Sequence, residues 1–326
     1  MEMALPIMTM EEANQLAALS REARWDFPSS QGRPVKWDVK EAWVRRLVRR
    51  QASFPEAARF LMDNGQMETA VEMVANVWRL WVLSRDMEGG RKFLLTVLDK
   101  PGKPSSARAL ALYGDSLLAL KQGKINESHN RSEEALTIAR QVNDPEAQAL
   151  SHLGLSRAFF EKGDYEAALS QAIEARKLAA DLDPALGQAP LFMHAQTIRM
   201  LGRYEEAELL FRKSVELNRH INDRGMIIAE LTNLGFVEVH LGNTNAAKQC
   251  FSESEKLSPL LDDPYSNAMR LVVKAAVTFL EKEHGKARSA LIELEKILKD
   301  SGIELGPDDK LEVDWLKSKL ATQVAG

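Results

Sequence analysis

Five glycines recur at almost equal steps through most of the chain. Gly123, Gly163, Gly202, Gly242 and Gly285 are separated by 40, 39, 40 and 43 residues. Each follows an apolar, helix-prone stretch and precedes another. Each is therefore expected to close one helix and open the next, in the left-handed geometry that glycine adopts without steric cost. At ~150 residues per domain, length alone points to about two domains. A fixed period points instead to one supersecondary unit repeated along a line, about eight helix pairs with the ends included.

Three further positions keep phase with the glycines, seven residues before each, five after it and twelve after it. They read Ser116, Ser128, Ala135; Ser156, Ala168, Ala175; Ala195, Ala207, Ser214; and Gly235, Ala247, Ser254. All are Gly, Ala or Ser, which is what two helices need where their backbones approach closely. Ile125, Tyr165 and Tyr204 hold an apolar position two residues after the turn. Asp144, Asp183 and Asp223 each stand 19 residues before a turn glycine, and Pro145 and Pro184 follow two of them. Asp263-Pro264 repeats the motif. Asp at the N-cap with Pro at the first helical position starts a helix. This arrangement resembles the tetratricopeptide repeat. The expected fold is all-α, a tetratricopeptide-type α-α superhelical solenoid with ~40-residue repeats and helices of roughly 16–17 residues.

Upstream the phase weakens but continues. Gly65 is followed five residues on by Ala70, residues 67–84 read as one long helix and 87–99 as another, with Gly90 at a small contact position. Residues 101–106 form a short break with capping serines. Trp43, Val44, Leu47 and Val48 share one helical face, with Arg45, Arg46, Arg49 and Arg50 on the other. The arginines suit either a solvated face or a small patch for phosphate or an acidic partner. Five of the six tryptophans (Trp25, Trp37, Trp43, Trp78, Trp81) precede residue 82 and read as a packing block. Residues 26–37 read as a loop, and 308–321 as a polar helix carrying Leu311, Trp315 and Leu320 that covers the last core face. The expected division is 1–64 as an N-terminal helical block, 65–300 as repeats and 301–326 as a capping helix.

The order of these segments is similar to the helical sensor region of bacterial STAND-type ATPases and large LuxR-type regulators. In that region a tryptophan-led helix, a Trp-containing helix and a Gly-Arg-basic-aromatic-Leu segment precede tetratricopeptide repeats. The stretch EAWVRRLVRRQASFPEAARFLMDNGQMETAVEMVANVWRLWVLSRDMEGGRKFL carries the likeness, with Gly90, Arg91, Lys92, Phe93 and Leu94 matching its last segment. The likeness runs from about residue 9 to 300. The GxxxxGK[ST] phosphate loop does not occur in the sequence, and no segment is left over for a DNA-binding helix-turn-helix. The resemblance therefore implies a sensor module alone, without ATP hydrolysis or promoter binding.

Composition and motifs narrow the function further. With 43 basic and 47 acidic residues the net charge is −4, so there is no general attraction to nucleic acid or anionic membrane. Leu271–Leu280, the most apolar stretch, is interrupted by Lys274 and is too short to span a bilayer. The opening MEMALPIMTM has no Lys or Arg, unlike a secretory signal, so the expected location is cytoplasmic. A lone cysteine, Cys250, forms no internal disulfide and no multi-thiolate metal site. HExxH, GxSxG, GxGxxG, CxxC and EF-hand patterns are missing, and the six histidines are scattered. His152 and His194 read as satisfied packing histidines and Cys250 as inert. No catalytic residue, metal ligand or cofactor is assigned.

One constellation remains. In tetratricopeptide repeats certain first-helix positions line the concave surface. The resemblance places Tyr113, Leu117, Arg157, Phe160, Phe192, Gln196, Arg199, Phe236 and His240 there, with Leu120, Leu153, Val239 and Phe279. That surface is apolar and aromatic with two arginines, Arg157 and Arg199. It suits a protein or peptide partner; alternatively, an apolar small molecule bearing an acidic group. In the contrary reading the phenylalanines pack between helices and the arginines are merely solvated. The expected function is a non-enzymatic sensor or adaptor holding a protein or peptide. The alternatives are a small-molecule-binding protein and a peptide-regulated signalling protein. Replacing Arg157 and Arg199 together by Ala is expected to remove binding without lowering stability.

Overall fold

The computed structural model describes residues 8–24, 42, 45–182, 184–257 and 264–322. The expectations for Trp25, Trp37, Trp43, Val44, the loop 26–37, Asp183 and Asp263 lie outside these residues. The described chain is all-helical and built from consecutive antiparallel helix pairs of the tetratricopeptide type. It divides into two compact units, Met1–Lys162 with Ser170–Pro190, and Gly163–Leu169 with Leu191–Gly326.

The first unit contains α1 (Met10–Ser20), α2 (Phe54–Asp63), α3 (Met67–Val77), α4 (Arg79–Leu83), α5 (Met87–Leu98), α6 (Ser106–Lys121), α7 (Ile125–Gln141) and α8 (Pro145–Glu161). The stretch 67–84 is two helices rather than one. Its turn tightens at Trp78, whose carbonyl accepts from the Trp81 N–H three residues on. Trp78 and Trp81 are almost fully buried. Two glycines make room for them. A Cβ on Gly90 would stand 2.6 Å from the Trp81 Cβ, and one on Gly114 would stand 2.7 Å from the Trp78 Cγ. Arg91, next to Gly90, is buried and paired with Asp115 and Glu127, each at 2.8 Å.

α9 (Tyr165–Ala179) and α10 (Pro184–Met200) are divided between the units, the break in α10 following Pro190. The second unit adds α11 (Tyr204–Ile221), α12 (Arg224–His240), α13 (Thr244–Leu257), α14 (Pro264–Leu280), α15 (His284–Ser301) and α16 (Pro307–Thr322).

The punctuation works as the spacing predicts in four turns. Gly123, Gly163, Gly202 and Gly242 have φ of +71°, +78°, +73° and +77°. Asp144 accepts from the Ala147 N–H and Asp223 from the Met226 N–H, so both are N-caps. The fifth turn differs. Gly285 lies inside α15, and the left-handed residue is Lys282 at φ +62°. Lys282 stands 40 residues after Gly242, so the irregular step of 43 disappears and the period holds. With Lys282 as origin, two of the three contact positions fall on Ala275 and Ala287, both fully buried, and the third on a larger residue, Leu294, also fully buried. The twelve small positions expected upstream are all buried too. At Gly235 the reason is explicit, since a Cβ there would lie 2.4 Å from the Phe251 ring.

Candidate functional site

The expected groove positions can be placed by counting back from the left-handed residue of each turn. Six residues before it stand Leu117, Arg157, Gln196 and Phe236 on α6, α8, α10 and α12; three before it stand Leu120, Phe160, Arg199, Val239 and, on α14, Phe279. Each first helix therefore carries the same two repeat positions, filled differently from repeat to repeat.

In the first unit, Tyr113 is buried edge-on against Trp78, with ring centroids 5.8 Å apart. Its hydroxyl accepts from Arg157 Nη1 at 3.0 Å. Leu117 and Arg157 are half-buried and Phe160 is buried. Among the described residues no carboxylate lies within ion-pair distance of Arg157. Lys121, one turn beyond Leu117, is lowered in basicity by desolvation and then by the Arg157 charge. A cavity beside Tyr113, lined also by Trp78, Arg79 and Glu146, has a volume of about 20 Å³, room for roughly one water.

In the second unit the expected positions are already covered by another helix of the chain. α16 lies against α10, α12 and α14, the first helices of their pairs. Gln196 Nε2 donates to Asp308 Oδ2 at 2.6 Å, and Arg199 Nη2 to the same oxygen at 3.1 Å. Arg199 Nη1 donates to Glu312 Oε1 at 2.8 Å, and His240 Nε2 stands 2.9 Å from Glu312 Oε2. The His240 ring is stacked on Tyr204 at 4.4 Å and meets Trp315 edge-on at 4.8 Å. Trp315 also meets Phe279 at 5.6 Å. Asp308, Glu312 and Trp315 are spaced i, i+4, i+7, so they form one stripe of α16. The neighbouring stripe, Val313, Leu316 and Leu320, is buried in a cluster shared with Phe236, Val239, Leu271 and Val272. Beside it, burial and the Asp308 charge push the Asp309 carboxyl up to about 7, while the Tyr265 hydroxyl, which donates to it, pulls it down.

Arg199 is 1% exposed. Its two terminal nitrogens serve α16, and its Nε–H has no partner among the described residues. The remaining expected positions in this unit are apolar: Phe236 is buried edge-on to Phe251, and half-buried Phe192 meets Phe211. Arg157 and Arg199 thus belong to different units and have different surroundings, the first presented and the second enclosed. Asp308 and Glu312 were not expected here, because a polar helix past the last repeat reads as a solvated cap. The one available signal was their i, i+4 spacing ahead of Trp315.

His152 and Cys250 have packing roles. His152 Nδ1 lies 2.7 Å from Gln171 Oε1, and burial lowers its pKa. Cys250 is buried, and that burial pushes its thiol up to about 11. Among the described residues no cluster of His, Cys, Asp and Glu could hold a metal ion, and no helix is long and apolar enough to cross a membrane.

No protein-family model matches the chain, and no curated protein matches it in sequence. Solved structures do match in fold. A Rap protein complexed with Competence and Sporulation Factor gives a TM-score of 0.62 over 94% of this chain and 80% of that one, at 13% identity. Cut9 in the APC/C Cut9-Hcn1 hetero-tetramer gives 0.58 over 94% of this chain and 56% of that one, at 16% identity. BtubC from P. vanneervenii gives 0.54 over 68% of this chain and 98% of that one, at 16% identity. With the regular turns and buried small positions, these likenesses make the fold one of tetratricopeptide-type helix pairs.

Proposed function

We propose that the chain is a non-enzymatic binding module whose inner helical face holds a protein or peptide partner. The observation that carries this reading is α16 itself. A helix is already seated on that face through Gln196, Arg199, His240 and Phe279, four of the positions expected to bind. The face therefore has the width and chemistry to take helical chain. The Rap structure that shares the fold was solved with Competence and Sporulation Factor, and Cut9 with Hcn1, which agrees with this use of the scaffold. Arg157 occupies the repeat position of Gln196, which receives a carboxylate, so it is the natural anchor for an acidic side chain on the first unit.

The cavity beside Tyr113, at about 20 Å³, has room for no more than a water, so it is not itself the seat of a small acidic ligand. The likeness to the STAND-type sensor region supports a cytoplasmic sensor or adaptor role. The test is a displayed library of helical peptides panned against the full chain. Selected peptides should be acidic and should bind Arg157→Ala and Leu117→Glu at least tenfold more weakly, with unchanged thermal unfolding. Binding equal to wild type in both variants and also in Arg199→Lys would refute the inner-face reading.

A further inference from the structure

We infer that the inner face of the second unit is the docking surface for a partner helix of defined chemistry, and that α16 occupies it as an internal stand-in. The partner is an amphipathic helix with two carboxylates one turn apart and an aromatic residue three positions later. This inference deepens the peptide-binding reading and rests on it.

The face offers a guanidinium, an imidazole and an amide in a row on α10 and α12, then an aromatic edge on α14. α16 answers each in order. Asp308 takes Gln196 and one Arg199 nitrogen, Glu312 takes the other Arg199 nitrogen and faces His240, and Trp315 fits between His240 and Phe279. Solenoid capping requires only the apolar stripe of Val313, Leu316 and Leu320. It gives no reason to bury an arginine against two carboxylates, an arrangement that is costly to desolvate and specifies one partner geometry.

The fit is also incomplete. The Arg199 Nε–H is buried without a partner among the described residues, a deficit that a better-matched carboxylate can repair. α16 is joined to α15 by residues 302–306, with left-handed Gly302 at φ +67° ending α15, so it can leave without unwinding the preceding pair. A partner that reproduces both stripes replaces the polar contacts and covers the same apolar side chains.

The test uses the full chain and a fluorescein-labelled synthetic peptide of residues 306–322. The double variant Asp308→Asn/Glu312→Gln weakens the stand-in while leaving Arg199 and His240 in place. The peptide should bind this variant at least tenfold more tightly than wild type, and Phe279→Ala or Arg199→Lys in that background should remove the gain. Limited proteolysis at Lys310 and Lys317 reads release of α16 directly. Three results would overturn the inference: α16 staying protected in the double variant, its release without peptide binding, or a dimer in which a second copy's α16 takes the site instead. Loss of peptide binding to Arg157-side variants would leave these outcomes unchanged. Failure here is thus distinguishable from failure of the general reading.

Discussion

Arg157 and Arg199 look alike in sequence, one repeat apart on first helices, yet the structure separates them. Among the described residues Arg157 makes one hydrogen bond, to a tyrosine hydroxyl, so Arg157→Ala should cost about 1 kcal/mol or less. Arg199 is enclosed with two carboxylates, so Arg199→Ala leaves buried negative charge uncompensated and should cost ~3–5 kcal/mol. Urea midpoints of the two variants check the contrast; equal midpoints would remove Arg199 from the core. On this contrast, the expectation that both could be replaced without loss of stability should fail at Arg199. The difference was illegible because the partners of Arg199 lie more than a hundred residues downstream, on a helix whose pattern reads as polar. A buried carboxyl gives a pH prediction. Glu230 is fully buried, and burial pushes its pKa up to about 8 despite hydrogen bonds from Ser214 and Asn218. Between pH ~4.5 and ~8 the native state keeps a proton that the unfolded chain has released, so stability falls as pH rises through that window. Asp309 acts in the same direction. The slope from Glu230 is up to ~1.4 kcal/mol per pH unit. Glu230→Gln should flatten the fall in urea midpoint between pH 5 and pH 8; an unchanged profile would show that Glu230 is ionised in the folded state.

At the scale of helices and turns, residue type was a good guide wherever one residue carries one geometric demand. Aspartate caps, first-turn prolines and left-handed glycines are local requirements, and at Asp144, Asp223, Pro145 and the first four turn glycines they appear where their spacing places them. The fifth turn misled because its glycine is three residues too late. Lys282 bears the left-handed strain instead, and Gly285 sits in the first turn of α15 with no heavy atom within 4 Å of an added Cβ. Both residues are thus in the wrong place for stability. Lys282→Gly should stabilise by about 1 kcal/mol, and Gly285→Ala by ~0.5–1 kcal/mol. Gly163→Ala, at φ +78°, should instead destabilise by ~1 kcal/mol. Thermal melts of the three single variants decide it. A loss of stability in Lys282→Gly would return the turn to Gly285. The bend at Trp78 was missed for a related reason: nothing local in the stretch 67–84 breaks a helix, and the fold around two buried tryptophans sets it.

For the molecule as a whole, helix pairs that touch mainly their neighbours make stability a sum of local terms rather than one cooperative quantity. Damage should therefore stay near its origin. The chain carries a built-in reporter for this, because its single thiol, Cys250, lies on α13 of the second unit, buried and with its pKa pushed up to about 11. At pH 8 iodoacetamide should scarcely label the native chain, since the thiolate is both scarce and enclosed. Loosening α16 through Arg199→Ala should raise the labelling rate about tenfold or more, because opening the second unit exposes the thiol. Hydrogen exchange in the same variant should quicken in α12–α16 and stay at the wild-type rate in α1–α7. Arg91→Ala, which breaks the buried pair with Asp115 in the first unit, should give the mirror result, faster exchange in α5–α7 with Cys250 still protected. If either substitution quickened exchange evenly along the whole chain, the helix pairs would be folding as one cooperative block, and neighbour-by-neighbour addition would be the wrong description of this protein.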